Sequence, residues 1–461
     1  RGAGRDTAHV FGPGARADTA DASDTTAAAR ARRAAERFAV VRFTPAGDAL
    51  VVSNREGLWL VPLDGAGAGG TGGAGGTAAR VRIVATDTLP ASPRIAAVDW
   101  APDGSALYLT WSSRARWERA LLRWDRRTRQ LDTLARDARL WGAVRVARDG
   151  DVLALALSDG NRPADLWVAD GARAGRLAAP RRVVDGNPWL AARALGRTEL
   201  VTYLDADGQA RAGVVYHPPA APGDTARRAR PTVFELYEEF WDDAFSPTIA
   251  VLNAAGYVVV RPSVGFETGY PGEAWLKGVT AAANAVVERG IADSARLGVH
   301  GTSYGGYATN LLVTQTHRFK AAVNVSGKVD LISFYTDSPR LGTRNVHAAE
   351  RSQDRIGATL WQAPMKYVAH SAIFQADRIR TPLLLITGAL DHNVPADNTR
   401  EMYYALRRLG KEVVWVNYLN GGHGTPMTTV EDFTDFHRRL VGWYDRKLGG
   451  ARPAGAGAVQ Q

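Results

Sequence analysis

A serine hydroxyl becomes a useful nucleophile only beside a base that takes its proton, and three residues of this sequence are spaced for that chemistry. Ser303 stands in Gly301-Thr302-Ser303-Tyr304-Gly305, followed by Gly306. The pentapeptide lies directly between the apolar run RLGVH and a stretch with helical patterning. That is the setting of a nucleophile elbow, a sharp, strained strand-to-helix turn that lifts the hydroxyl above a sheet and needs small residues on either side. An ordinary Gly-rich turn is the bland alternative. In such an arrangement the acid and the histidine follow the serine in that order, at the ends of later strands. Asp391, in GALDHNVP after the strand TPLLLITG, is the expected acid, rather than a simple turn former. His423, in NGGHG after EVVWVNYL, is the expected base: of nine histidines it is the one in a Gly-rich loop after the last strand. His392 reads as a surface neighbour of Asp391.

Acyl transfer also needs donors for the oxyanion that forms during attack. One is expected from the backbone N–H of Tyr304, the residue after the nucleophile, and a second from the loop that follows the first sheet strand. Tyr237, in PTVFELYEEF, is placed there and carries a suitable phenol, though a packing role is the competing reading. Glu238 and Glu239 beside it suit either a substrate amine or solvent.

The elements that must hold these residues are legible from about 198 onward. LVTYLDADGQARAGVVYHPP reads as a hairpin with a DADG turn. Apolar strands then alternate with helices near 246–255, 273–289, from 304, 396–409 and 430–447. Near-continuous Val/Ile/Leu strands alternating with helices specify a mostly parallel sheet covered on both faces. The fold class expected is α/β, of the α/β-hydrolase type, over 196–450. Gly410, after ALRRL, is a candidate helix C-cap.

Before this domain, residues 36–195 have a β signal with an internal repeat. Arg42–Leu63, Asp99–Trp124 and Val146–Asp170 each run from a Gly/Asp turn through two apolar strands. Repetition at roughly 50-residue spacing is the mark of propeller blades. Only three or four blades fit, so an all-β, partial β-propeller-like region is expected. Residues 1–35 and 451–461 lack large apolar side chains and are expected to be disordered. The run GAGAGGTGGAGG at 65–76 contains a formal G-x-G-x-x-G at Gly65, Gly67 and Gly70, but no helix opens after it, so it reads as a flexible loop rather than a dinucleotide site.

The bulk composition narrows the function class. The chain has 461 residues, 45% hydrophobic and 23% charged, the balance of a globular protein. No run reaches the roughly 20 apolar residues of a membrane helix. It opens on Arg1 without a signal-peptide-like apolar segment, as expected of a fragment or processed product. With no cysteine there is no thiol nucleophile or thiolate metal site, and there is no H-E-x-x-H, so no metal or other cofactor is expected. The formal charge of +10 comes mostly from scattered arginines, the habit of a GC-rich genome, and no nucleic-acid or membrane partner is expected.

These residues together resemble the prolyl oligopeptidase family of serine peptidases, which joins a β-propeller to an α/β-hydrolase domain. The resemblance rests on GTSYGGY, DHNVP, YYALRRLGKEVVWVNY and NGGH, with GYPGEAW, RIGATLWQAP and SAIFQADRIRTPLL in support, over about 195–448. It implies that Ser303 forms an acyl-enzyme, His423 acts as base and then acid, and Asp391 orients the imidazole. It implies an oxyanion role for Tyr237, a contact from Asn393 to the substrate backbone, and a primary pocket lined by Tyr304 and Val394, with Phe334, Tyr335 and Trp361 as outer candidates. A peptide substrate is implied in the same way, a periplasmic or secreted location is favoured over a cytoplasmic one, which stays open, and a second copy of the chain is a possible partner. Tyr237-Glu238-Glu239-Phe240 stands where the family usually has His-Gly-Gly-Pro or Tyr-Gly-Gly-Pro. The substrate preference, and the choice between endo- and exopeptidase, stay open. An esterase on the same triad, and a non-catalytic binding protein with a degenerate propeller, are the competing functions.

Overall fold

The computed structural model describes residues 39–54, 57–63, 80–85, 93–113, 117–220, 228–240, 242–337, 344–423 and 428–450. The low-complexity segments 1–35 and 451–461 and the glycine run 65–76 lie outside them. The described residues gather into two compact units, one drawn from Arg1–Ala156 and Leu166–Val184, the other from Leu157–Asp165 and Asp185–Gln461.

The described residues between 39 and 184 form four-stranded sheets whose strands follow chain order. One contains β1 (Ala39–Phe43), β2 (Ala49–Asn54), β3 (Gly57–Pro62) and β4 (Val81–Ala85). The next contains β5 (Pro93–Trp100), β6 (Ala106–Ser113), β7 (Glu118–Asp125) and β8 (Leu131–Asp137). The third contains β9 (Leu140–Val146), β10 (Leu153–Asp159), β11 (Arg162–Ala169) and β12 (Arg181–Val184). This is the partial propeller-like region read from the repeat, and each repeated segment supplies the two central strands of one sheet. The first two sheets share one apolar core, in which Val51, Leu58 and Leu60 pack with Leu107, Leu109 and Trp124. Polar groups tie the sheets at their rims. Arg126 bonds Asp48 at 2.6 Å, while Asp99 pairs with Arg42 at 3.3 Å and accepts the amide of Val146 at 3.2 Å.

The second unit is an α/β-hydrolase fold around one eight-stranded sheet. Its strands are β13 (Arg197–Leu204), β14 (Ala210–His217), β15 (Arg230–Leu236), β16 (Val258–Pro262), β17 (Ala292–Thr302), β18 (Ala321–Val325), β19 (Leu383–Gly388) and β20 (Val413–Tyr418). The order across the sheet is β13-β14-β16-β15-β17-β18-β19-β20. The β13–β14 hairpin and its junction with β16 are antiparallel, and every pairing from β16 to β20 is parallel. The hairpin turns where Gly208 takes φ +72° and the Asp205 carboxylate accepts the amides of Asp207 and Gln209.

Helices cover the sheet: α1 (Pro247–Ala254), α2 (Pro271–Glu288), α3 (Tyr304–Gln315), α4 (Leu331–Thr336), α5 (Arg344–Glu350), α6 (Pro364–Ala369), α7 (Ala396–Arg408) and α8 (Val430–Leu448). The side chains of Ser246 and Thr429 cap α1 and α8 by accepting first-turn amides. Gly410, at φ +67°, closes α7, since its missing Cβ admits the left-handed turn. β18 and β19 are buried along their whole length, which accounts for their unbroken apolar sequence. No described helix is long and apolar enough to cross a membrane.

Candidate active site

The turn between β17 and α3 is tight because backbone crowds it from both sides. Ser303 takes φ 59° and ψ −115°, a conformation that costs a non-glycine residue energy and persists only when its surroundings enforce it. Its amide donates to the carbonyl of Val325 on β18 at 2.7 Å. A Cβ on Gly301 would stand 2.2 Å from the Gly305 carbonyl carbon, and one on Gly305 would stand 1.9 Å from the Leu236 carbonyl oxygen. The small residues flanking Ser303 are therefore required by contact. Gly305→Ala is expected to lower stability by roughly 1–3 kcal/mol, as overpacking does, and to displace the turn. A fall in melting temperature checks this; an unchanged protein would remove the steric account.

The loops after β19 and β20 bring the acid and the histidine to that turn. His423 Nε2 lies 2.8 Å from Ser303 Oγ, a contact between residues 120 apart in sequence. On its other side, His423 Nδ1 lies 2.9 Å and 3.0 Å from the two carboxylate oxygens of Asp391. Asp391 is 5% exposed, and its Oδ1 also accepts the amides of Asn393 at 2.8 Å and Val394 at 2.9 Å. Burial alone would raise this carboxyl group's pKa. The hydrogen bond and charge of His423 and the two amides outweigh burial and hold it below the ordinary value. A hydroxyl hydrogen-bonded to an imidazole that is itself anchored by an ionised carboxylate can do nucleophilic acyl transfer.

Tyr304 and Tyr237 meet beside this line. As the first residue of α3, Tyr304 has an amide with no intrahelical acceptor, so it is available to a ligand. Tyr237 directly follows β15, is 40% exposed, and packs edge-on against the Tyr304 ring at 6.1 Å. The carbonyl of Tyr237 accepts the indole N–H of Trp275 at 2.9 Å, which fixes the loop at the elbow. The segment 353–355, of which only Arg355 falls within a stretch singled out from the sequence, RIGATLWQAP, closes on the same place. Gln353 bonds the Tyr237 hydroxyl and Glu238, and Arg355 bonds Glu238 at 2.9 Å and the Tyr304 hydroxyl at 3.4 Å. Glu238 and Arg355 line two clefts, of about 600 Å³ and 750 Å³, the first also bearing Glu239 and Glu267.

The remaining pocket candidates divide. The amides of Asn393 and Val394 cap Asp391, and the Val394 side chain is buried in the core. The Tyr304 ring is buried against Trp275 at 4.9 Å. Phe334 approaches it through Lys328, whose ammonium lies 4.5 Å from the Phe334 ring and 5.5 Å from the Tyr304 ring. Tyr335 faces elsewhere, bonding Glu350 at 2.6 Å and packing on Tyr367. Trp361 packs on Tyr335 at 5.8 Å and is otherwise 77% exposed. Among the described residues no group of three or more His, Cys, Asp or Glu is arranged to hold a metal ion.

Comparison with known proteins adds to this geometry. Residues 243–451 match the profile of the prolyl oligopeptidase family. An uncharacterized peptidase of Bacillus subtilis (strain 168), YuxL, is 29% identical over 271 residues, which are 54% of this chain and 39% of that protein. The chain thus spans well under half of that relative's length. The acylaminoacyl peptidase of Pyrococcus horikoshii has the same fold, with a TM-score of 0.67 at 18% identity, over 92% of this chain and 65% of that one. An acylaminoacyl peptidase in complex with Z-Gly-Gly-Phe-chloromethyl ketone gives 0.65 at 19% identity, over 91% and 64%.

Proposed function

We propose that this chain, whose residues 243–451 match the prolyl oligopeptidase family, is a serine peptidase that cleaves oligopeptides through an acyl-enzyme on Ser303. The observation that carries the proposal is the hydrogen-bonded line from Ser303 Oγ through His423 to Asp391. In this reading Ser303 Oγ attacks the scissile carbonyl carbon and its proton passes to His423 Nε2. The tetrahedral oxyanion is received by the Tyr304 amide and the Tyr237 phenol. His423 then returns the proton to the leaving amine as the C–N bond breaks. Water, deprotonated by His423, attacks the acyl-Ser303 carbonyl carbon; the C–Oγ bond breaks, His423 returns that proton to Ser303 Oγ, and the acid leaves. Asp391 stays ionised and stabilises the imidazolium.

Asn393 contacts the substrate backbone in this reading, and Tyr304, Phe334 and Val394 form the wall of the primary pocket, with Tyr335 and Trp361 further out. The peptide substrate class is supported by the peptidyl inhibitor held by the acylaminoacyl peptidase of like fold. The test is a panel of peptide p-nitroanilides, free or acylated at the amino end, set against p-nitrophenyl esters. Turnover of the anilides supports the peptidase. Turnover of esters alone would replace it with an acyl hydrolase on the same residues. Tyr237→Phe keeps the ring and deletes one oxyanion donor, so kcat is expected to fall by about 10²–10³-fold with KM little changed. An unaltered kcat would remove Tyr237 from the site.

A further inference from the structure

We propose that Gln353 is a positioning residue that holds the Tyr237 phenol in its oxyanion-binding orientation, an inference that rests on the acyl-transfer reading above. The side-chain amide of Gln353 lies 3.1 Å from the Tyr237 hydroxyl and 3.3 Å from Glu238 Oε1. One end of an amide only donates and the other only accepts, while a carboxylate only accepts. The end that meets Glu238 is therefore the NH₂, and the carboxylate fixes which way the amide points. Its second hydrogen goes to the Tyr237 oxygen, so that oxygen is an acceptor here. The hydrogen of the phenol is left to donate elsewhere, and the oxyanion is what it faces in the proposed reaction. A hydroxyl that accepts a hydrogen bond is also polarised into a better donor, by about 10–30%.

The surroundings of Gln353 are fixed on each side. Glu238 is held at its other oxygen by Arg355 Nη2 at 2.9 Å. Arg355 also donates to the backbone carbonyl of Gln353, and its guanidinium lies 4.5 Å over the Phe266 ring. Between them Asp354 is fully buried and ion-paired with the buried ammonium of Lys328. Burial pushes the Asp354 carboxyl up and the Lys328 ammonium down, and their pairing opposes both shifts. Arg355 takes φ 54°, a conformation that non-glycine residues adopt at a cost. That turn lets 353 and 355 meet one carboxylate while 354 faces the core. Such a pinned segment is what holding one phenol rotamer requires. Its residues lie 116 and 117 positions from Tyr237 and Glu238, so no local pattern announces it.

The test is a double-mutant cycle of Gln353→Leu and Tyr237→Phe, read by the second-order rate of Ser303 modification by a fluorophosphonate and by kcat and KM for p-nitrophenyl acetate. Gln353→Leu is expected to slow modification and lower kcat by about 5- to 10-fold, the worth of one hydrogen bond, with KM within about twofold. In the Tyr237→Phe background the same change is expected to have less than about a twofold effect, since the hydroxyl it serves is gone. Gln353→Met, which keeps the length and removes the donor without adding charge, serves in the same cycle should the leucine variant not fold. An equal loss in both backgrounds would overturn the inference while leaving Tyr237 in place. A harmless Tyr237→Phe would overturn the inference and the oxyanion reading together, and a folded wild-type protein that the probe leaves unmodified would overturn the acyl-transfer reading beneath both.

Discussion

Ser303→Ala is expected to lower kcat by about 10⁶-fold, with a melting temperature close to that of the parent protein. The size of the loss follows from the division of labour at the site. Without Oγ there is no covalent intermediate, and His423 keeps its place on Asp391 with nothing to deprotonate. Binding and the oxyanion donors alone leave a residual acceleration of about 10³–10⁴ over water. Stability changes little because one hydroxyl is removed and the alanine methyl occupies the Cβ position already present. The strained turn at φ 59° is still imposed by the contacts of Gly301 and Gly305. His423→Ala is expected to cost the same order, and the double variant scarcely more than either single one, since the residues act as a unit. Steady-state hydrolysis of an activated ester, beside a thermal melt of each variant, checks this. Additive losses would mean that the two side chains act independently.

Asp391→Asn is expected to lower kcat by about 10⁴-fold with the geometry intact. The cause is a proton in the wrong place. The Asp391 carboxylate accepts from His423 Nδ1 and from the amides of Asn393 and Val394, so it faces donors on every side shown. An asparagine must turn its NH₂ toward one of them. Turned to the amides, it sets donor against donor in a buried site; turned to His423, it requires Nδ1 to accept. The imidazole then carries its proton on Nε2, aimed at Ser303, and cannot serve as base. In the parent protein Asp391 titrates below the usual carboxylate value of about 4. The stabilising effect of that charge is present above the unfolded value and is lost only as the pH drops through the lower folded value. The pH–rate profile of the parent is thus expected to show no ionisation of Asp391 between about 5 and 8. An Asp391→Asn enzyme of near-normal kcat would mean that the acid does not set the tautomer.

Sequence showed the parts of this protein that depend on neighbours along the chain. The strand–turn–helix around Ser303, the buried strands β18 and β19, and the Gly410 cap are all written in a few consecutive residues. The two central strands of each blade-like sheet were visible because they are apolar. The outer strands β8 and β12 were not, because Leu131–Asp137 is largely solvated and Arg181–Val184 is exposed throughout. The helices α4, α5 and α6 between β18 and β19 also escaped. They are six or seven residues long, too short for a helical period to emerge. The Gln353–Glu238–Arg355 cluster was invisible for another reason: its meaning comes from which polar groups the fold brings together across more than a hundred residues.

The measurement that bears most directly on the whole account is the intact mass of the full chain after treatment with a fluorophosphonate, followed by peptide mapping. The expected result is a single adduct on the peptide containing Ser303, absent from Ser303→Ala and strongly slowed in His423→Ala. A folded protein that gains no adduct, or gains one at another residue, would contradict Ser303 as the nucleophile and with it the proposed peptidase.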